Sequence, residues 1–185
     1  MKKLIILFFI IVSANTIFAQ HENHQTTDTI KAKIKPKSPK MQAMKMIAQN
    51  HVHIDYSSPS LRGRAIWNGL VAYDQVWSAG AHKATTIEFS KDVMINNVVV
   101  PKGKYGFFTI PSKEKWTLIL SKTWDMHLAD DYIEENDVLR LTVTPEQNLE
   151  LVESLTYGVS EIADNKGRIM LSWEKLNVSF DFTNQ

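Results

Sequence analysis

Residues 56–86, YSSPSLRGRAIWNGLVAYDQVWSAGAHKATT, bring together two of the chain's four arginines, Arg62 and Arg64, with Trp67, Tyr73, Trp77 and His82. A guanidinium group grips a carboxylate, a phosphate or a sugar hydroxyl through several fixed donors. Indole and phenol rings beside such donors supply the flat apolar walls that a small polar ligand needs. Pro59, Gly63, Gly69 and Gly80 in the same stretch point to an ordered loop, and long ordered loops often carry function. The same residues also fit a second reading. A buried indole and an arginine paired to a local acid would simply brace a long loop against the fold.

Two further constellations compete with this loop. His51 and His53 lie two residues apart, so a strand presents both on one face, where two imidazoles can share an ion such as copper or zinc. His82 or His127 would be a third ligand, with Asp125 or Asp130 as carboxylate help. His21, His24, Met41, Met44 and Met46 crowd the same half of the chain, and His/Met donors suit copper(I). The plainer reading puts Met44 and Met46, at strand spacing, in the core. The second constellation is acidic. Asp125, Asp130, Asp131, Glu134 and Glu135 surround His127, and paired carboxylates or a His–Asp pair can do hydrolytic acid–base work. No G-x-S-x-G or H-E-x-x-H motif accompanies them, and acidic runs are usually solvated. The PKGKYG stretch at 101–106 lacks the P-loop pattern and reads as a turn.

The elements that must position these residues are short and β-like. Residues 51–56 alternate, with Val52, Ile54 and Tyr56 on one face and His51, His53 and Asp55 on the other. Similar runs occupy 41–47, 84–89, 93–95, 98–100, 105–110, 116–120, 139–143, 149–159, 168–173 and 178–182. Asn96-Asn97 marks a hairpin and residues 164–167 a turn. Residues 123–137 break the pattern and read as a loop with one helical turn. Roughly nine or ten short strands without a long helix predict an all-β fold, an antiparallel β-sandwich or jelly roll.

Lys2 and Lys3, an apolar run over 4–12 and the small residues before Gln20 read as a secretory signal peptide over residues 1–19. Polar residues 20–37 read as a flexible leader, and 38–185 as a single sandwich domain. Without Lys2 and Lys3 the net charge passes from +1 to −1, which argues against nucleic-acid or anionic-membrane binding. No later stretch is apolar enough to span a bilayer. There is no cysteine, hence no disulfide, thiol nucleophile or lipidated cysteine. Together these features describe an exported envelope protein, periplasmic or extracellular. Its expected role is non-enzymatic, as a binding or structural module for a small polar ligand or an envelope protein. No motif names a cofactor. Tyr105 and Trp116 are candidates to support the loop from neighbouring strands.

The strings YSSPSLRGRAIWNGLVAYDQVWSAG, ATTIEFSKDV and PKGKYGFFTIPSKEKWTLILSK resemble the secreted bacterial family known as domain of unknown function 2911, common in Bacteroidetes-type bacteria. The resemblance runs from about Ser38 to Phe182 and implies an envelope location and a shared fold, but no activity. The chain departs from the family's YSxPSxxGRxIWGxLVPYGxVWRTGAN pattern at several positions. Ser78 replaces the usual arginine and His82 the usual asparagine, while Asn68, Ala72 and Asp74 replace loop glycines and proline.

Overall fold

The structure, a computed structural model, describes residues 36–185. The expected signal peptide at 1–19, and the leader at 20–37 apart from Pro36 and Lys37, lie outside the described residues. In chain order the strands are β1 (Lys40–Ile47), β2 (Asn50–Ser57), β3 (Thr85–Phe89), β4 (Val93–Ile95), β5 (Val98–Val100), β6 (Gly103–Ile110), β7 (Trp116–Ser121), β8 (Asp137–Val143), β9 (Glu146–Ala163) and β10 (Lys166–Asn184). They pair antiparallel in two sheets, one of six strands in the order β1-β2-β3-β6-β7-β8 and one of four in the order β5-β4-β10-β9. The expected all-β sandwich is what forms. Alternation aims Val52, Ile54, Ile87, Phe89, Phe107, Leu118 and Leu120 inward from the larger sheet. Ile169, Leu171, Val178, Phe180 and Phe182 meet them from the smaller one.

The hairpin marked by Asn96-Asn97 joins β4 to β5, and both asparagines take the positive φ (46° and 65°) of a tight hairpin turn. The helical turn expected in the acidic segment is a single 3-10 turn, Glu134–Asn136. β9 and β10 run for 18 and 19 residues, longer than the runs expected at 149–159, 168–173 and 178–182. β10 nevertheless reverses on itself. Asn184 N donates to Asn165 O at 3.0 Å, Arg168 grips Asp181, and the Phe182 ring lies over Gly167. An extended strand would hold such residues tens of ångströms apart, at roughly 3.3 Å per residue. The fold-over falls at Glu174-Lys175, where Glu174 has φ 56°, so residues 168–173 and 178–182 act as the two arms expected of two strands.

The placement of Met44 and Met46 in the core is also corrected. β1 is the edge strand, and its inward phase belongs to Ala43 and Ile47. Met44 and Met46 stand on the opposite face, 53% and 54% exposed. Period-two spacing shows that two residues share a face; it does not say which face is buried.

Residues 58–84 link β2 to β3 and close one end of the sandwich. The chain first runs beside β9, with Leu61 N to Glu153 O at 2.8 Å and Leu155 N to Pro59 O at 2.9 Å. It then returns to β6, where Trp77 and Thr109 exchange both backbone hydrogen bonds at 2.8 Å. Between these anchors Trp67 and Trp77 meet Trp116 of β7 and Trp173 of β10. Trp67 lies edge-on to Trp116 and Trp173 at 4.8 and 5.9 Å, and Trp77 stacks on Trp173 at 5.9 Å. Trp173 is fully buried where the loop and both sheets converge. Trp173→Ala is therefore expected to lower stability by about 3–5 kcal/mol. Urea denaturation should read it as a lower midpoint with little change in slope.

Candidate functional site

The arginines and Trp77 of the 58–84 loop bond to the protein's own backbone. The Arg64 guanidinium donates to Leu61 O at 3.1 Å and Ser60 O at 2.6 Å. Arg62 donates from its side chain to Lys37 O at 3.1 Å and from its backbone to Glu153 Oε1 at 3.0 Å. Trp77 Nε1 donates to Gly80 O at 3.1 Å, and Tyr73 is half-buried. Trp116 supports Trp67 as expected, whereas Tyr105 directs its hydroxyl to Pro101 O. His82 is exposed, and its carbonyl accepts from Leu128 N. The arginine side chains thus grip backbone carbonyls of the chain itself rather than a local acid.

The histidines fall into separate groups. His51 and His53 share the outer face of β2, with ring centres 5.8 Å apart. His82 and His127 belong to a different junction, where a backbone bridge joins Lys83 to His127. Among the described residues no group of three His, Asp or Glu side chains is placed to hold a metal ion. The expected addition of His82 or His127 to His51 and His53 is therefore not formed, because separate elements carry them. His21 and His24 lie outside the described residues. The acidic segment does not converge on one point either. Asp125 pairs with Lys83 (2.6 Å), Asp130 with His127 (2.9 Å) and Glu134 with Arg140 (3.3 Å), while Asp131 and Glu135 are exposed. Asp137, outside that expectation, takes bonds from Tyr132 (2.6 Å) and Arg140 (2.9 Å), yet burial raises its pKa overall.

The concave site lies on the outer face of the six-stranded sheet, where residues 123–136 cover half of that face. Met126 packs there on Ala84, Phe108 and Ile119, with Val76 and Tyr132 at the edge. Gly106 makes room for this cover, since a Cβ there would stand 2.7 Å from Thr123 O and 2.6 Å from the Phe108 ring. The uncovered half, beside β1 and β2, becomes a groove of ≈ 590 Å³. Its floor includes Gln42, Asp55 and Thr86, aligned across three strands, and its rim carries Lys40, Lys83, Lys104, Trp124 and Asp125.

Asp55 is the hub. Gln42 Nε2 donates to its Oδ1 at 2.8 Å, His53 Nε2 lies 3.1 Å from the same oxygen, and Lys104 Nζ is 3.3 Å from Oδ2. Burial acts to raise the Asp55 pKa, but the hydrogen bonds from Gln42 and Lys104 and the neighbouring charges outweigh it, so the carboxyl sits below its ordinary value. Lys104 also places its ammonium 4.8 Å from the Trp124 ring centre, holding an indole that is 38% exposed at the rim. Asp125 is likewise held low, by its bond from Lys83.

None of Gln42, Lys83, Lys104 and Trp124 stands out in the sequence. Lys104 sits in what reads as a turn and Trp124 in what reads as an acidic loop; only the sheet register and the cover segment bring them together.

Two outcomes follow from this geometry. Gly106→Ala should lift residues 123–136 off the sheet, giving faster proteolytic cleavage there and a lower melting temperature, because the opposing carbonyl is backbone and cannot swing away. The Asp55 pKa is lower folded than unfolded, so its stabilising contribution is complete above about pH 4 and is lost as pH falls through the folded value. Melting curves against pH should therefore show a steeper acid limb for the wild type than for Asp55→Asn.

No curated protein and no solved structure matches the chain. A family model described as a protein of unknown function, DUF2911, matches residues 38–182, nearly the whole of the described structure, and the chain belongs to that family.

Proposed function

We propose that this chain is an exported, non-enzymatic binding protein of the cell envelope, and that the groove on the outer face of the six-stranded sheet holds a neutral, hydroxyl-rich small molecule of the oligosaccharide kind. The observation that carries the proposal is the pairing of charge in the groove. Lys104 is matched by Asp55 and Lys83 by Asp125, which leaves Lys40 as the one lining charge with no ion pair among the described residues. What remains is a dense mixture of acceptors and donors beside a partly exposed indole face. A polyol supplies both donors and acceptors and lays its C–H face on an aromatic ring, and this groove suits that combination. The loop at 58–84 then acts as the support of the site, with Arg62, Arg64, Trp67 and Trp77 holding it and the groove's Lys83 and Ala84 at its end. The N-terminal signal-like segment supports export.

A thermal-shift screen of neutral oligosaccharides, charged sugars and small anions tests the proposal. A neutral saccharide at 100 times its dissociation constant should add about 2.7 kcal/mol of stability. Trp124→Ala should weaken that binding at least tenfold while leaving the melting temperature of the free protein unchanged. A screen in which only anions stabilise the protein, or in which Trp124→Ala binds as tightly as the wild type, overturns it.

A further inference from the structure

We propose that the outer face of the β1–β2 hairpin is a copper(I) site, with His51 and His53 as nitrogen ligands and Met44 and Met46 as sulfur ligands. The site adjoins the groove and shares Asp55 with it, but its four ligands do not line the groove. The register carries the inference. Met44 lies directly opposite His53, and Met46 directly opposite His51. Residues opposite one another on antiparallel strands share a face, with Cβ atoms about 4.5–5.5 Å apart. The neighbouring pair confirms the face, because Gln42 lies opposite Asp55 and bonds to it at 2.8 Å. Two thioethers and two imidazoles therefore form a square of four adjacent positions on one hairpin.

Each member of the square is available to an ion. Met44 and Met46 are more than half exposed, and neither belongs to the core. The two imidazoles are edge-to-face with centres 5.8 Å apart. Metal–nitrogen bonds of about 2.0–2.1 Å put the centres of two rings on a common ion roughly 5–6 Å apart, so this spacing needs little adjustment. His53 is already oriented. An ionised carboxylate only accepts, so the contact of Asp55 Oδ1 with Nε2 at 3.1 Å places a proton on that nitrogen, and Nδ1 of the neutral ring is the atom left to ligate. A carboxylate behind a ligating histidine is the usual support of a metal site, and Gln42 and Lys104 hold Asp55 in turn.

The donor set selects the ion. Thioether sulfur is soft and favours copper(I), whereas zinc takes imidazole, thiolate and carboxylate. The chain has no cysteine, so its methionines are its only soft donors. Among the described residues no trio of His, Asp and Glu offers a zinc alternative.

The test is anaerobic competition between the full chain and bicinchoninate for copper(I), read by the loss of the coloured chelate. The wild type should withdraw one equivalent. Met44→Leu with Met46→Leu should weaken the withdrawal at least tenfold, and His51→Ala with His53→Ala should abolish it. Both doubly substituted chains should melt cooperatively, since all four side chains face away from the core. X-ray absorption of the copper-loaded protein should show sulfur and nitrogen neighbours together. The proposal is overturned if no copper leaves the chelator, if the Met44→Leu, Met46→Leu chain competes like the wild type, or if withdrawal depends instead on His21 and His24.

Discussion

The indole cluster is the contact on which the rest of the fold depends. Its four tryptophans come from three sources: Trp116 from the six-stranded sheet, Trp173 from the four-stranded sheet, and Trp67 and Trp77 from the loop between β2 and β3. A sandwich without cysteine has no disulfide between its sheets, so core packing, this cluster included, holds them together. Each aromatic pair adds about 0.5–1.5 kcal/mol beyond the area it buries. The cluster also carries a cost. The buried Nε1 atoms of Trp67 and Trp173 have no hydrogen-bond partner among the described residues, and an orphaned donor of this kind costs roughly 1–3 kcal/mol. Area and stacking must exceed that cost, which explains why the cluster is built from the largest side chains.

Its effect reaches the outer face through the loop's last residues. Ala79 adopts φ 50°, unusual for a residue with a side chain, and its carbonyl is fixed by Tyr157 Oη at 2.7 Å and Thr85 Oγ1 at 3.0 Å. Lys83 and Ala84 follow within a few residues and enter the groove, the first through its pair with Asp125 and the second under Met126. A closure made by inner-face aromatics thus determines where outer-face polar groups stand. The bracing of the loop and the shape of the groove are one mechanical system.

Much of the fold was legible because it rests on local signals. Alternation in β2, the Asn96-Asn97 turn and the break at 123–137 each have a cause within a few residues. The reversal inside β10 was legible for the same reason, since the inward phase passes from Ile169 and Leu171 to Val178 and Phe180 across Glu174. The site was legible only in pieces. Arg62, Arg64, Trp67 and Trp77 stand out in the sequence, but sequence does not separate a grip on a ligand from a grip on the chain's own carbonyls. Lys104 and Trp124 do not stand out, because their meeting depends on β6 register and on Gly106 admitting the cover. The exposure of Met44 and Met46 is not legible either, because strand spacing carries no information about which strand is at the edge.

The exposure of Met44 and Met46 bears on what the hairpin is for. An exposed edge strand is a template for unwanted pairing, and proteins blunt such edges with charge. Lys40 and Lys45 on β1 follow that rule. Met44 and Met46 run against it, since half-exposed thioethers add apolar surface where the fold gains least from it. Their burial cannot account for them, and their register cannot be relieved by a slip, because a one-residue shift would turn Ala43 and Ile47 out of the core. Opposite two imidazoles, one of them already oriented by a carboxylate, the same sulfur atoms are no longer surplus apolar surface. On the proposed site they complete a set of four donors, and copper(I) is the ion whose chemistry would make use of all four.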